Sequence, residues 1–475
     1  MKQYNKFYIN GTWCPSDSTN NKDVINPATE EVIAQVSLGK KSDVDQAVKA
    51  ARSAFDSWSQ TTREERLAVL DRIIAVYESR VEEIAQAITA EMGASISMSR
   101  SAQAPIGMTH FKAARDVLAN FSFEDELGSS QILKEPIGVC GFITPWNWPM
   151  NQIACKVAPA LACGCTVVLK PSEMTPLSAQ LFAEVLDEAK VPAGVFNMVF
   201  GDGPEVGAAI SEHTDIDMVS LTGSTRAGVQ VSKAAADNIK RVSLELGGKS
   251  PFIILDDADF AEAVSWGATQ CFRNVGQSCN APTRMLVPAA LHDQAVKVVQ
   301  KVAQETRVGD PQATETEIGP LSNALQFEKV NGMIQDAIDA GNELITGGTG
   351  RPDGLNKGYF ARPTAFANVS NDSTIAQEEV FGPVLCIIPY KDEADAIRIA
   401  NDSPYGLAAY IESGSLDRAR SVARKMRAGT VYLNRNDFDP QAPFGGYKQS
   451  GNGREWGQFG FHDFLEIKGI VGYKN

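Results

Sequence analysis

Histidine is scarce in this chain. Four occur in 475 residues, at positions 110, 213, 292 and 462, and none sits in a recognisable motif. The eight cysteines are scattered. Cys163 and Cys165 flank a single glycine, but no second pair or histidine cluster completes a zinc site. Metal ligation is therefore not expected, and reduced thiols in a cytoplasmic setting are the economical reading. No run approaches the ~18 apolar residues of a membrane span, and MKQYNKFYING (1–11) has no apolar leader core, so neither a span nor a signal peptide is expected. Positive charge is in deficit: 44 Lys and Arg against 58 Asp and Glu give a net charge of −14. That balance disfavours nucleic acid and anionic membrane surfaces as partners. The glycine-rich GxGxxG turn of common dinucleotide sites is also missing, so any cofactor must be held by other residues.

What remains is an ordinary globular composition, 43% apolar and 21% charged. It is long enough for about three domains. Two amphipathic helices open the first. Ser42 with Asp45, and Thr62 with Glu65, suggest capping boxes ahead of apolar residues at helical spacing. From 137 onward, apolar runs at 138–144, 165–169, 196–200 and 217–222 alternate with helical patterns at 176–190 and 225–237. Near-continuous apolar strands between helices predict a parallel sheet covered on both faces. Ligands of such sheets bind at the carboxyl ends of the strands, where Asn147, Lys170, Ser224 and Glu245 fall. A second α/β pattern runs from 248 to 448, with strands near 251–255, 284–287, 384–389, 408–412 and 429–433. The division that follows is one Rossmann-like α/β unit over 1–117 and 137–247 and a second α/β unit over 248–448, with 118–136 reading as a hairpin and 463–475 as a further strand outside both.

Cys279 stands out among the cysteines. It lies in FRNVGQSCNAPTR (272–284), after a helical pattern at 259–273, where a thiol can be partly exposed at an element end. By itself it could equally be a small core residue. Glu245, in SLELGGKS (243–250), is a carboxylate in an apolar strand, costly there unless exposed or used. These two runs resemble the signatures of the NAD(P)-dependent aldehyde dehydrogenase superfamily. TPWNWP (144–149), VVLKPSE (167–173), LTGSTRAG (221–228), QEEVFGPV (377–384) and PFGGYKQSGNGRE (443–455) follow in the family's order, so the resemblance spans nearly the whole chain.

The resemblance implies a cofactor domain, a catalytic domain and an arm that pairs with another subunit in a homodimer or homotetramer, with Glu466 and Arg454 as candidates for charge pairs near that contact. It implies Cys279 as nucleophile, Glu245 as the base that hydrolyses a thioester, Asn147 as oxyanion donor and Glu455 as a second carboxylate relaying the proton. Retention of Glu245 separates the chain from acylating members that pass the thioester to coenzyme A. For the cofactor it implies Lys170 and Glu173 at the adenosine ribose, Gly223 and Ser224 at a helix start near the phosphates, Glu379 and Phe381 at the nicotinamide end, and Trp146 and Gly203 as further lining. Glu173 favours NAD over NADP, because a carboxylate accepts from free ribose hydroxyls and repels a 2′-phosphate. Read alone, Ser224 is an ordinary helix cap, Glu379 a surface carboxylate and Glu455 a solvated charge.

The substrate is a small-molecule aldehyde of open identity. Trp148, Arg273, Ser278, Asp437 and Asp439 are the expected pocket residues. Arg273 stands where semialdehyde dehydrogenases carry a carboxylate anchor. Their second arginine is matched here by Cys155, and Asp437 or Asp439 would disfavour an anionic tail or pair with Arg273. An uncharged aldehyde and a carboxylate-bearing semialdehyde both stay open. So does a non-catalytic protein on the same fold.

Overall fold

The computed structural model describes residues 2–16, 18–436 and 438–474. Among these residues, eight strands form the first sheet, and its five central strands are parallel: Arg241–Glu245, Met218–Thr222, Val139–Ile143, Thr166–Lys170 and Phe196–Met198, in that spatial order. The antiparallel pair Lys6–Ile9 and Thr12–Pro15 closes one edge, and Gly451–Asn452 closes the other. The fold class is thus mixed α/β with parallel sheets, as the apolar runs required. The strands Val139–Ile143 and Thr166–Lys170 at its centre are fully buried because helices such as Pro149–Cys163 and Pro176–Glu188 cover them.

The second sheet orders Glu343–Thr346, Thr364–Ala367, Val384–Tyr390, Arg284–Pro288, Pro251–Ile254, Ala408–Glu412 and Thr430–Leu433, all parallel except the first. Its alternation is visible in the packing. Phe252, Ile254, Met285 and Leu385 enter one apolar layer, while Ile253, Leu286 and Cys386 enter the other. A two-residue side-chain period on a sheet covered on both faces produces this split.

Three expectations need correction. The chain does not open on helices, because strands Lys2–Tyr4, Asn21–Asn26 and Glu31–Ser37 form a separate small sheet first. The first helix, Lys41–Trp58, is capped two residues earlier than expected: Asp43, not Asp45, accepts the Lys40 N–H at 2.8 Å. The segment from 118 begins helical, since Pro105–Asn120 continues through it, and only Glu124–Leu127 and Ser130–Pro136 form the hairpin. The capping box of Thr62 and Glu65 is present in both directions. Leu465–Ile470 pairs antiparallel with Ser130–Pro136, so hairpin and tail make one three-stranded ribbon. Glu466 binds Arg241 of the same chain at 2.7 Å, and Arg454 donates to the Gly446 carbonyl at 3.1 Å.

One buried carboxylate holds the first unit together. Glu91 accepts from Leu177 N at 2.6 Å, Ser178 N at 2.9 Å and Ser178 Oγ at 2.5 Å, capping the helix Pro176–Glu188 from outside it. Glu91→Ala leaves those buried donors without an acceptor, a loss of roughly 2–4 kcal/mol. A lower melting temperature, with the secondary structure retained, is the expected result of a thermal melt followed by circular dichroism.

Candidate active site

The catalytic-end loops meet between the two large sheets. Gly248 follows the strand that ends at Glu245, and a Cβ at Gly248 would lie 2.5 Å from the Cys279 carbonyl oxygen. Only glycine lets the two backbones approach so closely. The cysteine itself follows a tightened segment. After helix Phe260–Phe272, Asn274 and Val275 adopt φ of 53° and 56°, and Gly276 a φ of 69°. A β-branched residue such as Val275 rarely tolerates that region, so the segment is strained and must be held from outside.

The holding groups are amides. Asn274 Nδ2 donates to the Asn147 carbonyl at 3.0 Å and to the Gln277 carbonyl at 3.1 Å. Gln103, in a π-helical turn at Ser99–Gln103, donates to the Asn147 carbonyl at 3.2 Å and to Asn274 Oδ1 at 3.2 Å. Asn147 Nδ2 donates to the Gln277 carbonyl at 3.0 Å, and Trp148 Nε1 to Ser278 Oγ at 2.8 Å. Asn147 is thereby fixed beside the cysteine loop with a second amide hydrogen still available.

A cavity of about 310 Å³ opens at Cys279. Trp148, Arg273 and Ser278 of the expected pocket residues line it, and so does Glu455, which the resemblance implied as a proton relay. So do Ile106, Asn151, Gln152, Phe438, Phe444 and Trp456, which motif reasoning did not reach. Asp439 is not part of that wall. It is exposed, and its carboxylate accepts the Gln441 N–H at 2.9 Å in a local turn. Asp437 lies outside the described residues. Cys155 is buried against Glu455, with its Sγ 3.3 Å from Glu455 Oε2, and does not face the cavity.

The carboxylates show why they stand where they do. Glu245 is buried, and neither of its side-chain oxygens has a hydrogen-bond partner among the described residues. Burial first, then the charge of Glu455, pushes its carboxyl well above the usual range, while Lys156 and Arg454 pull the other way. Gly445 leaves room for it, since a Cβ there would come within 2.8 Å of Glu245 Oε1. Glu455 is not a solvated charge. It is buried and paired with the ammonium of Lys156, which also donates to Ser220 Oγ at 3.1 Å. Lys156 carries no motif signal; a lysine inside an otherwise apolar helix was the available clue. The pairing of Gly451 with Glu245 across the first sheet's edge brings the Glu455 segment to this point.

Burial, then Glu379, Glu245 and Glu455, pushes the Cys279 thiol above its ordinary range, against the Asn280 backbone N–H. Glu379 is likewise buried and raised, with the Gly248 N–H donating to it at 2.9 Å. Phe381, at φ 58°, meets Trp146 edge-on with ring centroids 5.6 Å apart. Gln326 pins that strained loop by donating to the Phe381 carbonyl at 2.7 Å. At the far end Lys170 donates to Glu173 Oε2 at 3.2 Å, and Lys22 lies 3.7 Å from the same carboxylate. Burial would raise Glu173, but these two cations outweigh it and hold its carboxyl below the usual range. Ser224 caps helix Thr225–Ala236 by accepting the Ala227 N–H at 3.2 Å. The Gly223 N–H is taken by the Glu245 carbonyl at 3.0 Å, which leaves the first turn of that helix as the anion-friendly end. A Cβ at Gly203 would meet nothing within 4 Å, so the surface there is open. Carboxylates, a lysine, an open glycine and an aromatic pair are residue types that suit a dinucleotide. Among the described residues no group of three or more His, Cys, Asp and Glu side chains is placed to hold a metal, and no helix is long and apolar enough to cross a membrane.

A thiol facing a cavity, a buried carboxylate with no hydrogen-bond partner among the described residues and residue types suited to a dinucleotide fit an oxidoreductase site. Residues 13–470 match the aldehyde dehydrogenase family, and the chain belongs to it. It is 55% identical to the 3-succinoylsemialdehyde-pyridine dehydrogenase of a Pseudomonas species, over all of both chains. It is 50% identical to a putative aldehyde dehydrogenase of Staphylococcus aureus, again over the full length of both. Among solved structures, a mutant of aldehyde dehydrogenase C from Pseudomonas syringae with NAD+ and octanal is 53% identical, with a TM-score of 0.98 over 99% of this chain and 97% of that one. Betaine aldehyde dehydrogenase of Staphylococcus aureus in complex with NAD+ is 38% identical, with a TM-score of 0.96 over 99% of this chain and 95% of that one.

Proposed function

We propose that this protein oxidises an uncharged aldehyde with an aliphatic or aromatic tail to the carboxylic acid, using NAD, with Cys279 as nucleophile. The observation that carries the reading is the meeting of the Cys279 thiol, the cavity and the unpartnered Glu245 carboxylate at one junction. The thiol releases its proton to solvent water as its sulfur adds to the aldehyde carbon. The alkoxide that forms accepts from the Asn147 amide and the Cys279 backbone N–H, donors whose loss typically costs ~10²–10³ in rate. NAD, when bound, supplies the acceptor for the two electrons and hydrogen that leave this carbon. The thioester left on Cys279 is then attacked by water as Glu245 takes its proton, with Glu455 and Lys156 passing that proton onward. The acid leaves and the thiol is restored. Residues at the first large sheet hold the adenosine half of the cofactor, Glu379 and Phe381 of the second unit meet its nicotinamide end, and the loop before strand Arg284–Pro288 carries the cysteine.

The tail assignment follows the cavity wall of Ile106, Trp148, Phe438, Phe444 and Trp456. It agrees with relatives named for a pyridine-bearing semialdehyde and solved with octanal. A carboxylate-bearing semialdehyde is the second reading, favoured by Arg273 on the wall. A panel of alkyl, aryl and carboxylated aldehydes, followed by NADH absorbance, tests both. Faster turnover of succinic semialdehyde than of every uncharged aldehyde would overturn the first.

For the cofactor, Glu173 makes NAD the expected choice. A carboxylate facing a 2′-phosphate at ~4 Å and an effective dielectric of ~20 opposes it by roughly 4 kcal/mol before screening. Solvent, Lys170 and Lys22 offset most of that, leaving about 1–2 kcal/mol, or ~10-fold in kcat/KM. Glu173→Gln should narrow the NAD preference, and equal kcat/KM with NADP in the unmodified protein would exclude this role.

The ribbon of hairpin and tail supports a homodimer or homotetramer. Leu127 and Ile467 are each 72% exposed, and Val471 is 87% exposed. Apolar side chains on so small a ribbon are what a subunit contact covers. Light scattering should report a multiple of the chain mass at micromolar concentration; an active monomer would refute it. Free thiols throughout the described chain support a reducing, cytoplasmic setting.

A further inference from the structure

Two residues outside the catalytic set form a built polar element in the cavity wall. His110 lies on the helix Pro105–Asn120 and Asn151 on the helix Pro149–Cys163. His110 is 4% exposed and sits under Trp456, with ring centroids 5.5 Å apart. Its Nε2 is 2.6 Å from Asn151 Oδ1. An amide oxygen only accepts, so the imidazole must present N–H at Nε2. Burial holds the imidazole below its ordinary range despite the Asn151 bond and the nearby Glu455 charge, so it is neutral at physiological pH. The amide is thereby oriented, with its oxygen toward the protein interior.

The remaining half of Asn151 is the informative part. Asn151 lines the cavity, and its Nδ2 has no hydrogen-bond partner among the described residues. It is also absent from the buried atoms that lack a partner, which places it in contact with the cavity space. Around it the wall is largely apolar, with Ile106, Trp148 and Trp456. A wholly alkyl tail would cover this donor without satisfying it, and a donor stripped of water without a new partner is penalised.

We propose that Asn151 is a specificity-determining residue that donates from Nδ2 to an uncharged acceptor on the substrate tail. The class it selects is aldehydes with a ketone, ether or aromatic ring nitrogen along an otherwise apolar chain. His110 is a positioning residue that fixes which end of the amide faces the cavity. The inference rests on the reading of Cys279 as the reacting group, since that fixes where the aldehyde end lies. A neutral acceptor suits a neutral donor, whereas a carboxylate tail would turn to the Arg273 guanidinium on the same wall.

The test compares two aldehydes of equal length, one n-alkyl and one with a ketone in the tail, in the unmodified enzyme and in Asn151→Leu. The ratio of kcat/KM, keto over alkyl, should fall ~10-fold in Asn151→Leu, and the change should sit in KM because the bond is made equally in ground and transition states. His110→Phe should lower the same ratio by a smaller factor. If Asn151→Leu does not fold, Asn151→Asp, which exchanges the donor for an acceptor, must give the same collapse. An unchanged ratio, or a preference for a hydroxyl over a ketone in the tail, overturns the proposal. If the unmodified protein oxidises neither aldehyde, the catalytic reading fails instead. Calorimetric binding of the matching keto-alcohol and plain alcohol then decides the role of Asn151 by the same ratio.

Discussion

Cys279→Ala should abolish NAD-dependent aldehyde oxidation, with a loss of ~10⁴-fold or more in kcat, as for removal of a nucleophile elsewhere. The cavity opens on this thiol, and no other cysteine among the described residues lines it. Cys14 is the other cysteine that is not buried, and it lies in the edge strand Thr12–Pro15, far along the first sheet. Cys→Ser changes at the other seven positions should leave turnover within a few-fold. Steady-state rates measured for all eight variants check this. More than a few per cent of kcat remaining in Cys279→Ala would end the covalent mechanism. The raised thiol adds a second expectation. At rest Cys279 is protonated, because burial and three carboxylates oppose its ionisation. Alkylation by iodoacetamide should therefore be slow in the free enzyme and should quicken as pH rises.

Glu245→Gln should block release of the acid while leaving the first turnover. Glutamine keeps the shape of the side chain but cannot take a proton from water. General bases contribute ~10²–10⁴-fold, and the steady state should slow by that order. Rapid mixing should then show a burst of NADH stoichiometric with active sites, followed by a slow phase. A burst slowed as strongly as the steady state would move Glu245 to the deprotonation of Cys279. The pH profile carries an independent sign. The Glu245 carboxyl is raised by burial and by Glu455, and only its ionised form can act as a base. Deacylation should therefore rise with pH through this raised value, above the ordinary carboxylate range, and that limb should vanish in Glu245→Gln. The same shift bears on stability. A carboxyl raised in the folded state binds its proton more tightly there than when unfolded, so its contribution is lost as pH rises through the folded value.

Much of this protein was legible in its sequence, for local reasons. Apolar runs separated by helical patterns determine parallel strands buried on both faces, and Phe252 and Ile253 enter opposite layers because strand side chains alternate. Thr62 and Glu65 form their capping box because the interaction spans three residues. The motif around Cys279 likewise travels with its immediate neighbours. The tertiary structure decided what depends on residues distant in the chain. Glu455 reads as a solvated charge until the pairing of Gly451 with Glu245 buries it against Lys156, 299 residues away. Asp439 reads as a pocket residue until its own turn takes its carboxylate. Asn274 has no signal of its own in the sequence, and its amide ties Asn147 to the cysteine loop only in the folded chain. Burial is what sets these roles, since it raises Glu245 and strengthens each buried pair, and burial is a property of the packed chain that no short run of residues encodes.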